Sequence, residues 1–259
     1  MNSKISGLLH EYFPPAIYRW IRITYRAIRR RGPIVEDEFD YDYYTHFYAW
    51  SLDQFSKRTE NNEWIVDVGG KKLANTILAH FYNLIEITPT DLNFKDSRRI
   101  SINDEDFASS EGVINRVAKI VGDQKVSVIL SPATFHLLDI PRYAGVSKVD
   151  LEEDHKKKKF LEFCNGVLER KGEIYIAIPI TTNKSNLNSQ GNIFNVDDLS
   201  ELLMKHGFTI SKVDFVTHGA NEIETVLQNK TLYSIHDLDD IKFKSINSYV
   251  IGYIKIERV

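Results

Sequence analysis

Cysteine is nearly absent from this chain of 259 residues, which contains one, Cys164. A single thiol cannot form an internal disulfide, and no Cys/His metal-binding spacing surrounds it. The amphipathic pattern of residues 160–170 instead predicts a buried thiol on a helix. Because a chain without disulfides is typical of a reducing compartment, we expect a cytoplasmic protein.

Long apolar runs are also missing. No stretch approaches the roughly 20 apolar residues that cross a bilayer, and residues 1–13 lack the apolar segment of a cleaved signal peptide. Apolar residues nevertheless make up 42% of the chain, and 27% are charged. This composition excludes a disordered or low-complexity chain and allows one large domain or two small ones.

Acidic residues are absent from residues 19–31, which contain six arginines. The whole chain has 33 basic and 36 acidic side chains, so without these arginines 27 basic side chains face 36 acidic ones, a net charge of −9. A cationic arm therefore precedes an acidic body. The acidic body argues against a nucleic-acid binder and restricts an anionic partner to the arm.

A helical pattern over residues 15–31 stops at Gly32-Pro33, which predicts an arm at residues 1–32 and a domain at 33–259. The domain begins with a helical lead-in at 33–60. A basic helix with aromatic residues is typical of contact with an anionic membrane surface, at the inner face of the membrane for a cytoplasmic protein. The alternative, packing of the arm on the body or on the acidic run 36–42, stays open.

The aromatic segment 43–55 has two interpretations. Its rings could pack against a face of the domain or form the floor of a sugar-binding cleft, because aromatic rings stack on apolar sugar faces. Such a density of aromatics favours core packing.

Strand and helix patterns alternate from Trp64 onwards, which predicts a doubly wound, mostly parallel, Rossmann-like α/β sheet. Two late strands without a clear helix between them indicate an antiparallel strand at one edge. A long helix is expected at about 151–170, and Asp197 is expected to cap a later one. Strands are predicted at 64–69, 84–92, 98–103, 125–131, 173–180, 208–216 and 248–258.

Ligands of such sheets bind beyond the carboxyl ends of the strands, where the strand order reverses. The first strand ends at Asp67-Val68-Gly69-Gly70, and glycine there lets the backbone approach a cofactor. After the second strand, Glu86 or Asp91 could accept the hydroxyls of a cofactor ribose. Asp91 is preferred because it lies nearer the carboxyl end.

The stretch after the fourth strand, residues 131–145, crowds polar side chains beside this predicted cleft. His136 titrates near neutrality and could remove a proton from a hydroxyl. Arg142 could hold a phosphate or carboxylate. A structural role for His136 and a turn role for Asp91 stay open.

The order of these motifs resembles the class I S-adenosylmethionine-dependent methyltransferases. The segments that carry the resemblance are VDVGG at 66–70, Asp91, VSVILSPATFHLL at 126–138, GEIYIAIPI at 172–180, and the closing strands at 208–216 and 248–258. The resemblance implies S-adenosylmethionine as cofactor, held by Asp67, Gly69, Gly70, Asp91 and Ser131.

Within this class the chain is most similar to a branch found with cell-surface polysaccharide genes, through His136, Arg142, Tyr143, Gly145 and the strand end 178–180. That resemblance implies O-methylation of a sugar hydroxyl on a glycan or glycolipid precursor. His136 would act as the base, and Arg142 and Tyr143 would bind the acceptor. No metal is expected.

Two departures from the family pattern support other functions. Lys71 and Lys72 stand where a further glycine is usual, and Phe135 replaces a glutamate. A methyltransferase-like scaffold that has lost its cofactor is therefore one alternative. Another is an α/β enzyme that holds a nucleotide-sugar phosphate with Lys71, Lys72 and Arg142, although no P-loop or full dinucleotide fingerprint is present.

Overall fold

A computed structural model describes the chain over the following residues: 39–55, 63–70, 78–79, 81–88, 99–101, 110–132, 134–135, 155–182, 193–225, 227, 232–245 and 248–259. The chain divides into two units, and nearly all of the described residues belong to the larger unit, Asp42–Val259. The predicted arm at 1–32 and its boundary with the domain lie outside the described residues.

The described part of the chain alternates strands with helices, as the sequence pattern predicts. Its helices are α1 (Phe39–Phe55), α2 (Ser110–Val121), α3 (His155–Val167), α4 (Val196–Lys205) and a 3-10 helix (Ile235–Asp240). Its strands are β1 (Trp64–Val68), β2 (Asn83–Thr88), β3 (Arg99–Ser101), β4 (Val126–Ser131), β5 (Leu168–Thr181), β6 (Phe194–Asn195), β7 (Phe208–Asn221), β8 (Ile223–Thr225), β9 (Tyr233–Ser234), β10 (Ile241–Phe243) and β11 (Tyr249–Arg258).

Nine strands form one sheet in the order β3-β2-β1-β4-β5-β11-β7-β9, with β6 beside β5. Strands β1 to β5 pair in parallel, whereas β11 runs antiparallel to both β5 and β7. The doubly wound α/β fold is thus confirmed. The antiparallel strand β11 lies between β5 and β7, two positions from the edge of the sheet. The edge is formed by the two-residue strand β9, which runs antiparallel to β7.

Successive side chains of a strand point to opposite faces of the sheet, and helices cover both of these faces. On one face α2, α3 and α4 cover residues such as Val66, Ile85 and Ile129. On the other face α1 covers residues such as Ile65 and Leu130. Burial of each such side chain contributes about 1.5–3 kcal/mol to the free energy of unfolding, which explains why these strands read as continuous apolar runs.

The aromatic residues of α1 form the centre of the second face. Phe47, Tyr48, Trp50 and Phe55 are all at most 6% exposed. The Trp50 ring packs edge-on against Tyr175 of β5, with 5.7 Å between the centroids. The prediction of core packing is confirmed for these four rings, which do not form the floor of an open cleft.

The predicted end of one helix and the predicted cap of another are wrong, and two strands are longer than predicted: β5 begins at Leu168 and β7 extends to Asn221. The helix expected to reach residue 170 ends at Val167, because Leu168 already pairs with Val126 of β4 and its carbonyl accepts a hydrogen bond from Arg258 Nη1 at 2.8 Å. The cap of α4 is Asn195 rather than Asp197: the Asn195 Oδ1 accepts from the Asp197 backbone N–H at 2.9 Å. Asp197 lies in the first turn, where negative charge favours the helix dipole.

Cys164 is fully buried on α3, as predicted. Desolvation by burial raises the pKa of its thiol well above the usual range, and a backbone hydrogen bond offsets this only in part. The thiolate is the nucleophilic form of cysteine, so the buried side chain is inert in the folded protein. None of the described helices is long and apolar enough to span a bilayer.

We therefore expect Cys164 to resist iodoacetamide in the folded protein, even at about pH 8 where a free thiol reacts readily. Mass spectrometry should detect a single carbamidomethyl group only after denaturant unfolds the chain. The denatured protein serves as the positive control. Rapid modification of a chain whose circular dichroism is unchanged would contradict the burial of this thiol.

Candidate active site

The strand order reverses at β1, which has β2 on one side and β4 on the other. The chain continues from β1 to β2 and β3, and then crosses back over β1 to β4. The carboxyl ends of these parallel strands meet at one edge of the sheet, where open α/β sheets bind their ligands. The candidate site therefore lies around the ends of β1 and β4.

Gly69 begins the turn after β1 in a left-handed conformation, with a φ of 75°. Its backbone N–H donates to the carbonyl of Ile87 on β2 at 2.7 Å. A Cβ at this position would overlap the Thr134 Oγ1. Both the backbone angle and the close approach therefore require glycine.

Thr134 follows β4 and connects the two strands at the reversal point. It is 6% exposed, and its Oγ1 donates to the carbonyl of Val68 at 2.9 Å. This bond gives the last carbonyl of β1 a hydrogen-bond partner, and it holds the residues that follow β4 against the glycine turn. Thr134 was not predicted as a site residue from the sequence.

Asp67 lies fully buried on the α1 face of the sheet, beside Glu86 in the register of β1 and β2. The Tyr48 hydroxyl of α1 donates to the Asp67 Oδ2 at 2.6 Å. A Cβ on Gly70 would overlap both of these oxygens. Gly70 is therefore required because the backbone passes directly over the Tyr48–Asp67 pair.

Ser131 ends β4 and is fully buried. Its neighbour Leu130 pairs with Asp67 and faces α1, so alternation places Ser131 on the opposite face of the sheet. Its Oγ has no hydrogen-bond partner among the residues that the structure describes. A buried hydroxyl without a partner costs about 1–3 kcal/mol, which is consistent with a ligand-binding role at this strand end.

Phe135, which stands where the resembled class usually has a glutamate, is a core residue. Its ring is 1% exposed and packs edge-on against Phe160 of α3, at 5.5 Å between centroids, and beside Phe194 at 5.8 Å. An apolar core anchor thus occupies the position before His136. Its ring packs in the core at the end of the described stretch after β4.

The structure brings three of the predicted residues together at the end of β1, namely Asp67, Gly69 and Gly70, and places Ser131 on the neighbouring strand. The remaining predicted site residues lie outside the described residues: His136, Asp91, Arg142, Tyr143, Lys71 and Lys72. Glu86, the alternative to Asp91, is 8% exposed and sits two residues before the end of β2.

Tyr48 and Thr134 are the site residues that sequence reasoning missed. Tyr48 lies 19 residues before its partner, so no local motif connects them. Thr134 had a weak signal, because it falls in the polar stretch after β4. Within the described ranges, no group of three or more His, Cys, Asp or Glu side chains is arranged to hold a metal ion.

No protein-family model matches the chain, and no curated protein does. Among solved structures, the chain is similar to a SAM-dependent methyltransferase from Archaeoglobus fulgidus, with 14% identity over 83% of this chain and 94% of that one and a TM-score of 0.47. It is also similar to a 1,6-didemethyltoxoflavin-N1-methyltransferase from Burkholderia thailandensis with bound S-adenosylhomocysteine, with 10% identity, coverages of 95% and 91%, and a TM-score of 0.47.

A plantazolicin methyltransferase in complex with S-adenosylhomocysteine aligns over 98% of this chain and 95% of its own, at 14% identity and a TM-score of 0.46. At these scores the alignments carry no argument about the cofactor or reaction of this chain. The fold rests on the strand order and the site on the contacts described above.

Replacing Gly69 by alanine tests the close approach at the turn. Gly122 is a matched control, because its φ is 64° but a Cβ there meets nothing. Both substitutions should lower the free energy of unfolding by about 1–2 kcal/mol for the left-handed backbone. Gly69→Ala should cost more, because the new methyl group displaces Thr134.

The additional loss of stability in Gly69→Ala, relative to Gly122→Ala, should become smaller when Thr134→Ala is added. We expect a coupling of about 1 kcal/mol or more in a double-mutant cycle measured by denaturant unfolding. Equal costs at Gly69 and Gly122, with no coupling to Thr134, would contradict the overlap.

Proposed function

We propose that this protein is an S-adenosylmethionine-dependent methyltransferase. The observation that carries the proposal is the glycine turn at the point where the strand order reverses. That turn is fixed on one side by Thr134 and on the other by the Tyr48–Asp67 pair. A backbone turn held this rigidly at the ligand-binding edge of an α/β sheet suits a cofactor that is gripped by main-chain groups.

The residues at this edge fit such a cofactor. Asp67 supplies a carboxylate, Gly69 and Gly70 supply a backbone without side chains, and Ser131 supplies a buried hydroxyl without a described partner. We assign these four residues to cofactor binding, together with Asp91 as the acceptor of hydrogen bonds from the ribose hydroxyls. Bound S-adenosylmethionine supplies an activated methyl group on a sulfonium.

The task left to the protein is to place an acceptor oxygen in line with that methyl group and to remove its proton. Positioning contributes a large share of such a rate. We propose that His136 takes the proton and that Arg142 and Tyr143 hold the acceptor. Phe135, the residue before His136 in the sequence, is held in the core by its contacts with Phe160 and Phe194.

We propose a sugar hydroxyl of a cell-surface glycan or glycolipid precursor as the acceptor, on the basis of the sequence resemblance. A glycolipid acceptor is consistent with the prediction that residues 15–31 contact an anionic membrane surface from the cytoplasmic side. The methyltransferase-like scaffold is the alternative, and Lys71 and Lys72 are its support. Cofactor binding separates the two.

We expect the purified protein to bind S-adenosylmethionine and S-adenosylhomocysteine in isothermal titration calorimetry. Gly70→Ala should weaken binding at least tenfold, because a methyl group there displaces Asp67 and the turn; a tenfold change is about 1.4 kcal/mol. Gly122→Ala, which lies in open space at the end of α2, should bind as the wild type does. No binding to the wild type at about 1 mM cofactor, the upper end of common enzyme affinities, would favour the scaffold.

His136→Ala tests the proposed base. Methyl transfer from labelled S-adenosylmethionine to envelope glycan precursors should fall by about 10²- to 10⁴-fold, the usual contribution of a general base. Affinity for S-adenosylhomocysteine should be retained, because His136 is assigned to the acceptor side. Unchanged turnover would exclude His136 as the base while leaving the cofactor site intact.

A further inference from the structure

Helix α1 delivers hydrogen-bond donors to two buried carboxylates of the sheet. The Tyr48 hydroxyl donates to the Asp67 Oδ2 at 2.6 Å, and the Trp50 indole Nε1–H donates to the Asp214 Oδ2 at 2.7 Å. Asp67 is 0% and Asp214 7% exposed. Carboxylates at these depths depend on such donors, because burial removes their hydration.

The two pairs differ in what surrounds them. Asp214 lies on β7, which is separated from β1 by β4, β5 and β11, and it also forms an ion pair with Lys212 at 2.9 Å. Asp67 lies on β1, two residues before the glycine turn. The Trp50–Asp214 bond therefore connects α1 to a strand distant from the candidate site, whereas the Tyr48–Asp67 bond connects α1 to the site itself.

Gly70 packs directly against the Tyr48–Asp67 pair. Its backbone approaches so closely that a Cβ would overlap both the Tyr48 hydroxyl and the Asp67 Oδ2. Tyr48 is itself held in place, with its ring 5% exposed and edge-on to Phe47 at 5.6 Å. The carboxylate and the backbone of the turn therefore rest against a hydroxyl whose position is set by the aromatic core.

We propose that Tyr48 is a positioning residue for the cofactor site. Its hydroxyl fixes the rotamer of Asp67 and, through the packing against Gly70, the path of the chain that leaves β1. The effect on cofactor affinity rests on the function proposed above, whereas the effect on the turn does not. Helix α1 is on this account a component of the site rather than only a cover for the sheet.

The decisive comparison is Tyr48→Phe with Trp50→Phe. Each variant keeps an aromatic ring on the same helix and removes one donor from a buried carboxylate, so both should lower global stability. Only Tyr48→Phe should loosen the turn. Native-state hydrogen exchange of the Gly69 amide reports on the turn directly, because that N–H is bonded to the Ile87 carbonyl.

After correction for each variant's global stability, we expect Gly69 exchange to accelerate about tenfold in Tyr48→Phe and to stay unchanged in Trp50→Phe. The dissociation constant of S-adenosylhomocysteine should likewise rise about tenfold only in Tyr48→Phe, as expected for loss of a hydrogen bond to a charged group. Asp67→Asn keeps the side-chain shape but weakens the same bond, so it should reproduce the faster exchange if Tyr48→Phe folds poorly.

Equal corrected exchange in the two aromatic variants, or wild-type exchange in Asp67→Asn, would overturn the positioning role. A wild-type protein that binds no cofactor would instead overturn the proposed function, and the exchange comparison would still decide the role of Tyr48. Faster exchange with unchanged cofactor affinity would reject the link to binding.

Discussion

The close approach of three chain segments at the end of β1 is the constraint on which the candidate site depends. The turn at Gly69 and Gly70 lies within contact of Thr134 on one side and of the Tyr48–Asp67 pair on the other. Neither glycine could carry a Cβ without moving a buried polar group. The backbone at the ligand edge is thus fixed by sterics and by two hydrogen bonds before any ligand binds.

Buried polar groups around this constraint follow a consistent rule. Asp67 and Asp214 accept hydrogen bonds from α1, and Glu173 pairs with Lys255 at 2.9 Å. Each of these three carboxylates is stabilised by a partner from another element, because burial removes its hydration. The hydroxyl of Ser131, at the end of β4, is a buried polar group whose Oγ has no hydrogen-bond partner among the described residues.

The fold was predictable because strands and helices leave strong local patterns. Strands buried on both faces read as apolar runs, so β1 and β4 were placed within one or two residues of their observed ends. Boundaries failed where a long-range contact outweighed the local pattern. Leu168 continues an amphipathic helix in sequence, but pairing with β4 and a bond from Arg258 draw it into the sheet.

The candidate site was also predictable only where its features depend on residues close together in the sequence. The sequence by itself determined the glycine turn after β1, the buried thiol of Cys164 and the core role of the aromatic residues 47–55, because each is encoded by neighbours a few residues apart. Only the tertiary structure decided that Tyr48 supports Asp67 and that Thr134 closes on Gly69. These contacts join residues 19 to 66 positions apart, and they exist because the reversal of strand order brings β1 beside β4 while α1 packs across the sheet.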